Sequence, residues 1–203
     1  MAFDTLPSGV RLLPEVISPD QEAALVNAVD CGAWEESVQR DGHRSQQFGW
    51  WRPQLLAQSG QSDRFLGALP DWAAPLVSRL HVLAPFDQAP DHLVVRELAP
   101  GTQPYLRKGQ GRTVATLALL SDLPVMFRKR GGTGTWYLTQ ARRSLLVLTE
   151  DFDRSWDRTI LPVRAPADAE SAALAEMPAA GTERAPEIGA RLLTLSFRRV
   201  TTD

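Results

Sequence analysis

The N-terminal part of the chain repeats apolar residues with a helical period. Ser18, Pro19 and Gln21 supply a capping serine, a proline at the first helical position and a glutamine three residues after the cap, which is the pattern of a helix start. Apolar residues then recur at helical spacing as far as Gly32, where the helix should end. A short strand is predicted before this helix.

The segments that follow are predicted to form one aromatic strand and two helices. Residues 45–52 are strand-like, whereas residues 62–69 and 70–83 have helical spacing. The second of these helices should bury an apolar face formed by Trp72, Leu76, Leu80 and Leu83.

From His92 onward the pattern changes to short β runs separated by turns. The predicted strands span residues 92–99, 113–120, 124–128, 135–138, 145–149, 157–163 and 191–200. Many short strands at even spacing indicate a sandwich or jelly roll rather than a parallel sheet. With the helices of the N-terminal part, this predicts an α+β fold.

Length and composition suit one domain with its own hydrophobic core, since the chain has 203 residues. Residues 165–190 are rich in Ala, Pro and Glu and are predicted to be an insertion with a short helix near 168–176. Cys31 is the single cysteine, which excludes an internal disulfide and favours a reducing, cytoplasmic setting. No signal peptide or membrane helix is visible, so no membrane partner is expected.

Charge is distributed unevenly, although the formal net charge is only -2. Basic residues are concentrated between residues 107 and 143, and an acidic stretch follows at 150–157. One interpretation is a set of solvated loop ends. The other is a basic rim that attracts an anionic ligand or nucleic acid.

No motif identifies a catalytic centre by itself. The three histidines, His43, His81 and His92, do not pair at metal-ligand spacing. His81 is interpreted as a structural residue of its helix, and His43 could bind a metal only with help from distant residues. The glycines at 131–134 lack the lysine of a phosphate-binding loop, so a hairpin turn is predicted there.

The order and spacing of several motifs resemble the AlkB family of iron(II)/2-oxoglutarate dioxygenases. The motifs are RSQQFGWW at 44–51, LPDW at 69–72, LVVRELAPG at 93–101, TVATLAL at 113–119, VMFR at 125–128, SLLVL at 144–148, WDRTI at 156–160 and TLSFR at 194–198. The resemblance covers most of the chain and implies a double-stranded β-helix, or jelly roll, with the N-terminal helices packed on one sheet. Residues 1–91 would form the helices and lid strands, and residues 92–200 the jelly-roll core.

The chain departs from this family at the metal positions that the resemblance implies. Tyr105 and Arg107 stand where the family has a His-x-Asp pair, and Arg158 stands at the second metal histidine. An arginine has no lone pair to give to a metal and keeps its positive charge. No metal is therefore expected, and neither Fe(II) nor 2-oxoglutarate is expected as a cofactor.

The cosubstrate positions match the family at one residue. The family's Asn-x-Tyr pair corresponds to Arg96 and Leu98. Of the two arginines in the family's last strand, Arg198 matches the second, whereas Leu192 stands at the first. Arg191 is one residue away, and an offset of one residue points to the other face of the sheet.

Strand alternation then predicts a cationic cavity inside the fold. The side chains expected to point into it are those of Arg96, Arg107, Arg158 and Arg198. Such arginines either pair with internal acids, for example Glu97 or Asp157, or bind an anionic ligand.

Candidate site residues follow from this cavity and from the resemblance. Tyr105 either acts as a general acid or base beside the arginines or forms an ordinary core hydrogen bond. The resemblance implies that an aromatic lid strand covers the cavity mouth and stacks on a planar ligand. The candidate catalytic residues are Tyr105, Arg107 and Arg158, and the candidate substrate-binding residues are Arg96, Arg198, Trp50, Trp51 and Arg52.

Three functional hypotheses remain open. The first is a metal-independent enzyme that acts on an anionic organic substrate by non-redox chemistry, such as isomerisation, cyclisation or elimination. The second is a non-catalytic protein that binds nucleic acid or a protein partner. The third is a working dioxygenase with an unusual metal site that includes His43 or His92.

Overall fold

The computed structural model describes residues 6–36, 43–51, 64–98, 105–107, 109, 111–161 and 191–200, with the backbone alone for Glu36, Trp51, Tyr105 and Arg107. The strands are β1 Val10–Leu13, β2 Glu35–Glu36, β3 His43–Trp51, β4 Arg64–Phe65, β5 His92–Leu98, β6 Tyr105–Arg107, β7 Val114–Leu119, β8 Leu123–Lys129, β9 Thr135–Gln140, β10 Leu145–Leu148, β11 Trp156–Ile160 and β12 Leu192–Arg198. The helices are α1 Pro19–Asp30, α2 Ala74–Leu83 and α3 Glu150–Ser155, with a 3-10 turn at Asp71–Ala73 before α2.

These strands form two antiparallel sheets. The larger sheet has the order β1-β10-β7-β12-β5-β3-β2, and β4 pairs with β3. The smaller sheet has the order β6-β11-β8-β9. Neighbours in both sheets are often distant in sequence, as in a jelly roll. This confirms the predicted α+β jelly-roll fold.

One face of the larger sheet packs against the two N-terminal helices. Leu25 and Val29 of α1 and Leu76 and Leu80 of α2 are buried in the same cluster as alternate residues of β5, β7, β10 and β12. The apolar face predicted for the second helix is confirmed, because Trp72 and Leu83 also pack on this cluster.

The other face of the larger sheet packs against the smaller sheet. This second cluster is formed by Val10, Leu98, Ala118, Leu123, Val125, Phe127, Leu146, Leu148, Phe152, Ile160 and Leu192. Strand residues of the larger sheet therefore alternate between a helix-side core and an inter-sheet core.

The predicted start of α1 is confirmed at atomic detail. The backbone N–H of Gln21 donates to Ser18 Oγ at 3.2 Å, and the backbone N–H of Ser18 donates to Gln21 Oε1 at 2.9 Å. The two residues thus satisfy each other's free backbone donors. The helix ends at Asp30, just before Gly32 as predicted.

The helix predicted at residues 62–69 is wrong within the described residues. Arg64 and Phe65 form strand β4, in which Phe65 lies opposite Trp50 of β3. The two rings pack with centroids 5.2 Å apart. This cross-strand aromatic pair outweighs the helical spacing of a short segment.

Besides β4, the short elements β2, β6 and α3 were not predicted from the sequence. The acidic stretch that begins at Glu150 forms α3, with acidic residues in its first turn, where a helix favours negative charge. The predicted insertion at residues 165–190 lies outside the described residues. None of the helices in the described segments is long and apolar enough to cross a membrane.

Glu22 joins α1 to two turns of the larger sheet. Its carboxylate is only 1% exposed and accepts hydrogen bonds from the backbone N–H of Leu120 at 2.7 Å and from Arg142 Nε at 2.8 Å. Arg143 lies 3.7 Å from the same carboxylate and also binds Glu15. Much of the predicted basic rim is therefore paired inside the molecule.

The same network holds the backbone in an uncommon conformation. Within the described residues, the non-glycine residues with positive φ are Glu15 (47°), Leu120 (70°) and Arg143 (60°). Such a conformation costs roughly 1–3 kcal/mol per residue and persists where its surroundings fix it. All three belong to the Glu22 network, which supplies that constraint.

A second ion network lies at the start of β12, around Arg191. Arg191 Nη1 donates to Asp30 Oδ2 at 2.9 Å, and Arg191 also binds Glu97, which accepts from Arg44 Nε at 2.8 Å. The hydrogen bond from Arg191 lowers the pKa of Asp30 below its ordinary value of 3.8. The network attaches the C-terminal end of α1 to β5 and β12.

We expect Glu22→Gln to lower the free energy of unfolding by about 2 kcal/mol, because a buried charge-assisted hydrogen-bond network is weakened. Urea unfolding of the variant and of the wild type measures the difference. Asp20→Asn removes an exposed carboxylate of the same helix and is the matched control. Equal losses in the two variants would show that Glu22 has no special role.

We expect Asp30→Asn to remove a pH-dependent part of the stability. The folded pKa of Asp30 is depressed, so its contribution is present above pH ~4 and is lost as the pH falls through the folded pKa. The effect should be below about 1 kcal/mol, because the Asp30 side chain is 42% exposed. Thermal unfolding should be measured from about pH 3 to about pH 7, because carboxylates titrate in the lower part of this range. The difference in stability between the wild type and the variant should become smaller towards low pH. A difference that is constant with pH, or equal in the exposed control Asp87→Asn, would contradict this.

Candidate functional site

Arginines are buried on the inner faces of the two sheets. Among the described residues the buried arginines are Arg96, Arg158 and Arg198, with exposures of 5%, 6% and 4%. Arg96 shares its face of β5 with Leu98, and Arg158 shares its face of β11 with Ile160. Because Leu98 and Ile160 belong to the inter-sheet core, both arginines lie on the inner side.

Arg158 connects the smaller sheet to the larger one. Its Nη1 donates to Thr116 Oγ1 of β7 at 3.1 Å. Thr116 Oγ1 in turn lies 3.1 Å from Ser196 Oγ of β12, the residue opposite it in the register. A chain of polar side chains thus runs from the guanidinium across two strands of the larger sheet.

The inner face of β12 carries the rest of this cluster. Ser196 and Arg198 are two residues apart on one face, and Thr194 lies directly opposite Arg96 of β5. All these side chains are buried. We call Arg96, Thr116, Arg158, Thr194, Ser196 and Arg198 the inner polar cluster.

A second buried contact holds Thr116 in place. Gln140, which has no exposed surface, donates through Nε2 to the backbone oxygen of Thr116 at 2.8 Å and to that of Ser144 at 3.0 Å. The amide thereby fixes the end of β9 to β7. The hydroxyl that Arg158 contacts belongs to a well-anchored strand.

The acids considered as internal partners lie on other faces. Glu97 is next to Arg96 in β5 and therefore points to the opposite side, where it binds Arg44 and Arg191. Asp157 is next to Arg158 and binds Arg130, at 2.8 Å. In the strands that carry the three arginines, the described carboxylates thus face away from the inner polar cluster.

Arg198 and Arg191 lie on opposite sides of the larger sheet, as strand alternation predicted. Leu192 is buried in the inter-sheet core, on the face that carries Arg198. Arg191 instead pairs with Asp30 on α1 and lies 6.0 Å from the ring centre of Trp34. It is therefore not available to a ligand between the sheets.

Tyr105 and Arg107 are described by their backbone alone. In the register of β6 and β11, Tyr105 lies opposite Ile160 and Arg107 lies opposite Arg158. The pairing brings both positions next to the strand that carries Arg158. Their catalytic roles remain predictions.

The predicted lid residues Trp50 and Trp51 lie at the C-terminal end of β3. Trp50 is half-buried and packs on Phe65, and its backbone N–H donates to the oxygen of Asp91 at 3.1 Å. Trp51 is opposite Arg64 in the backbone register, and Arg52 lies outside the described residues. Their position over a cavity mouth remains a prediction.

The described residues do not fit an iron site. They contain no group of three or more His, Cys, Asp or Glu side chains that could hold a metal ion. His43 and His92 are both buried on the inner face, but His43 lies opposite Leu98 and His92 opposite Gly49. This separation of six residues along β5 corresponds to about 20 Å, so the two histidines cannot bind one ion.

Thr116 was not identified from the sequence. One sequence feature could have indicated it: Thr116 is the single polar residue of the apolar strand VATLAL, and it shares a face of that strand with Ala118. A buried hydroxyl in such a strand needs a hydrogen-bond partner. Arg158 supplies that partner from a segment 42 residues away, which the sequence does not reveal.

Comparisons with known proteins support the fold at low sequence identity. No family model and no curated protein matches the chain. The structure of the AlkB homologue OsALKBH1 is similar with a TM-score of 0.63 and 14% identity, covering 96% of this chain and 100% of that one. A Pseudomonas putida prolyl-4-hydroxylase is similar with a TM-score of 0.53 and 13% identity, covering 95% of this chain and 93% of that one. The chain therefore shares the jelly-roll fold of these two proteins.

Proposed function

We propose that this protein binds an anionic organic molecule between its two sheets and acts on it without a metal ion, by non-redox chemistry. The inner polar cluster is the observation that carries this proposal. It combines three arginines from three strands with hydroxyl groups of neighbouring strands.

Electrostatics favours an anion at this place. Guanidinium groups in an interior of low dielectric favour a carboxylate or a phosphate as the ligand, because opposite charges attract strongly there. A guanidinium also matches these groups geometrically, because it can donate two parallel hydrogen bonds. Arg198 and Arg96, on adjacent strands, are the proposed anion-binding residues.

The contact between Arg158 and Thr116 suggests a distinct role for Arg158. Its guanidinium is oriented by a hydroxyl on the opposite sheet, so it can stabilise negative charge that develops on a bound substrate with little reorganisation. Tyr105, whose backbone lies on the strand next to β11, is the proposed general acid or base. Isomerisation or elimination of a carboxylate-bearing substrate would use these two functions.

The chemistry of Arg158 supports a reaction without iron. The resemblance implies a metal histidine at this position, and the residue present has no lone pair and a permanent positive charge. Such a side chain repels a metal cation. His43 and His92, the two histidines on the inner face, lie too far apart along β5 to bind one ion together.

Nucleic-acid binding is the second candidate, and the exposed side chains of Arg128 and Lys129 on β8 favour it. Several of their basic neighbours are neutralised inside the molecule, because Arg130, Arg142 and Arg143 each bind a carboxylate. This pairing reduces the positive electrostatic potential with which the basic rim would attract a nucleic acid. The small-molecule proposal therefore has the stronger support.

We expect a dicarboxylate or a phosphate to stabilise the metal-free protein. Arg198→Met should weaken that binding at least tenfold, which corresponds to about 1.4 kcal/mol. Calorimetry with 2-oxoglutarate, succinate, citrate and inorganic phosphate, with and without Fe(II) under anaerobic conditions, measures this. Arg128→Met removes an exposed arginine and is the matched control.

Two results would contradict the proposal. Anion binding that requires Fe(II) would restore a metal-dependent oxygenase, and unchanged binding in a folded Arg198→Met variant would remove the inner polar cluster from the site. Salt-dependent binding of a single-stranded oligonucleotide without anion binding would favour the second candidate.

We expect Tyr105→Phe to keep anion binding and to lose turnover. The phenyl ring conserves size, but it cannot transfer a proton. Each anion that binds is incubated with the wild type and the variant, and the recovered ligand is analysed by mass spectrometry and NMR for isomers and elimination products. Equal conversion by both proteins would exclude Tyr105 as the acid or base.

A further inference from the structure

A groove on the helix side of the molecule lies apart from the inner polar cluster. It has a volume of about 300 Å³ and runs between α1 and the segment that contains α2. Its apolar lining consists of Ile17, Ala24, Leu25, Trp72, Pro75 and Leu76. The larger sheet separates this groove from the inter-sheet interior, because Leu25 and Leu76 belong to the helix-side core.

The walls of the groove are held rigidly. Trp72 packs edge-on against Phe48 of β3 with centroids 5.9 Å apart. Ser18 and Gln21 fix the start of α1 through their reciprocal hydrogen bonds. A largely preformed apolar groove of this size is typical of a site for a small ligand.

The polar side chains of the groove are both hydrogen-bond donors. Arg79 is exposed and forms no ion pair with a carboxylate of the described residues. Gln21 uses its carbonyl oxygen to accept from Ser18, which leaves its NH₂ group for another partner. A ligand that complements them must bring acceptor oxygens and negative charge at one end.

From these features we propose that the groove binds an amphipathic monocarboxylate. The hydrocarbon or aryl body would lie along Leu25, Trp72 and Leu76, and the carboxylate would accept hydrogen bonds from Arg79 and Gln21. The apolar body is removed from water, and the charge complementarity selects the anion over an alcohol or an amine. This site is independent of the one proposed between the sheets.

Octanoate is the probe, and calorimetry on the full chain is the measurement. We expect octanoate to bind at least tenfold more tightly than octanol and octylammonium not to bind. Arg79→Gln should weaken octanoate binding at least tenfold, and Ala24→Phe, which fills the groove from an exposed position, should abolish it. Arg128→Gln should leave it unchanged.

Several outcomes would overturn the proposal. Equal binding of octanol, or unchanged binding in Arg79→Gln, would show that the carboxylate has no partner in the groove. Loss of octanoate binding in Arg198→Met, with retention in Ala24→Phe, would move the ligand to the inner polar cluster. Sedimentation that shows a dimer dissociated by octanoate would make the groove an interface between two copies of the chain. Urea unfolding of each variant confirms that it is folded.

Discussion

The buried carboxylate of Glu22 is the contact on which the arrangement of layers depends. It connects α1 to the turn after β7 and to the turn before β10, and these two strands are neighbours in the larger sheet. Residues with left-handed backbone conformation meet at the same point, so the ion network and the turn geometry are mutually dependent. Because β7 carries Thr116, the network also helps to set the register of the strand that contacts Arg158.

Local patterns were sufficient to predict most strands and the start of α1. Alternation along β5 and β12 also placed Arg96 and Arg198 on the inner faces, and it placed Arg191 on the other side, as the structure shows. These features depend on neighbours in sequence or on the period of a strand. They can be predicted from the sequence without knowing which distant segments contact each other in the folded protein.

Other features depend on contacts between distant segments. Glu22 binds residues 98 and 120 positions away, and an acid at that position of an amphipathic helix looks like an ordinary solvated residue. The error at residues 62–69 has the same origin, because Phe65 is placed by its pairing with Trp50. Thr116 became part of the candidate site only through Arg158, which belongs to the opposite sheet. The sequence was sufficient to predict buried arginines between the sheets, but it did not reveal that Arg158 contacts a hydroxyl group of β7.

The alternation of β7 and β12 between two cores has an evolutionary consequence. In β7, Ala115, Leu117 and Leu119 support the helices, whereas Thr116 and Ala118 face the other sheet. Substitutions on the inner face can therefore change which ligand the interior accepts while leaving the helix-side packing intact. That separation is consistent with a shared fold at 14% identity.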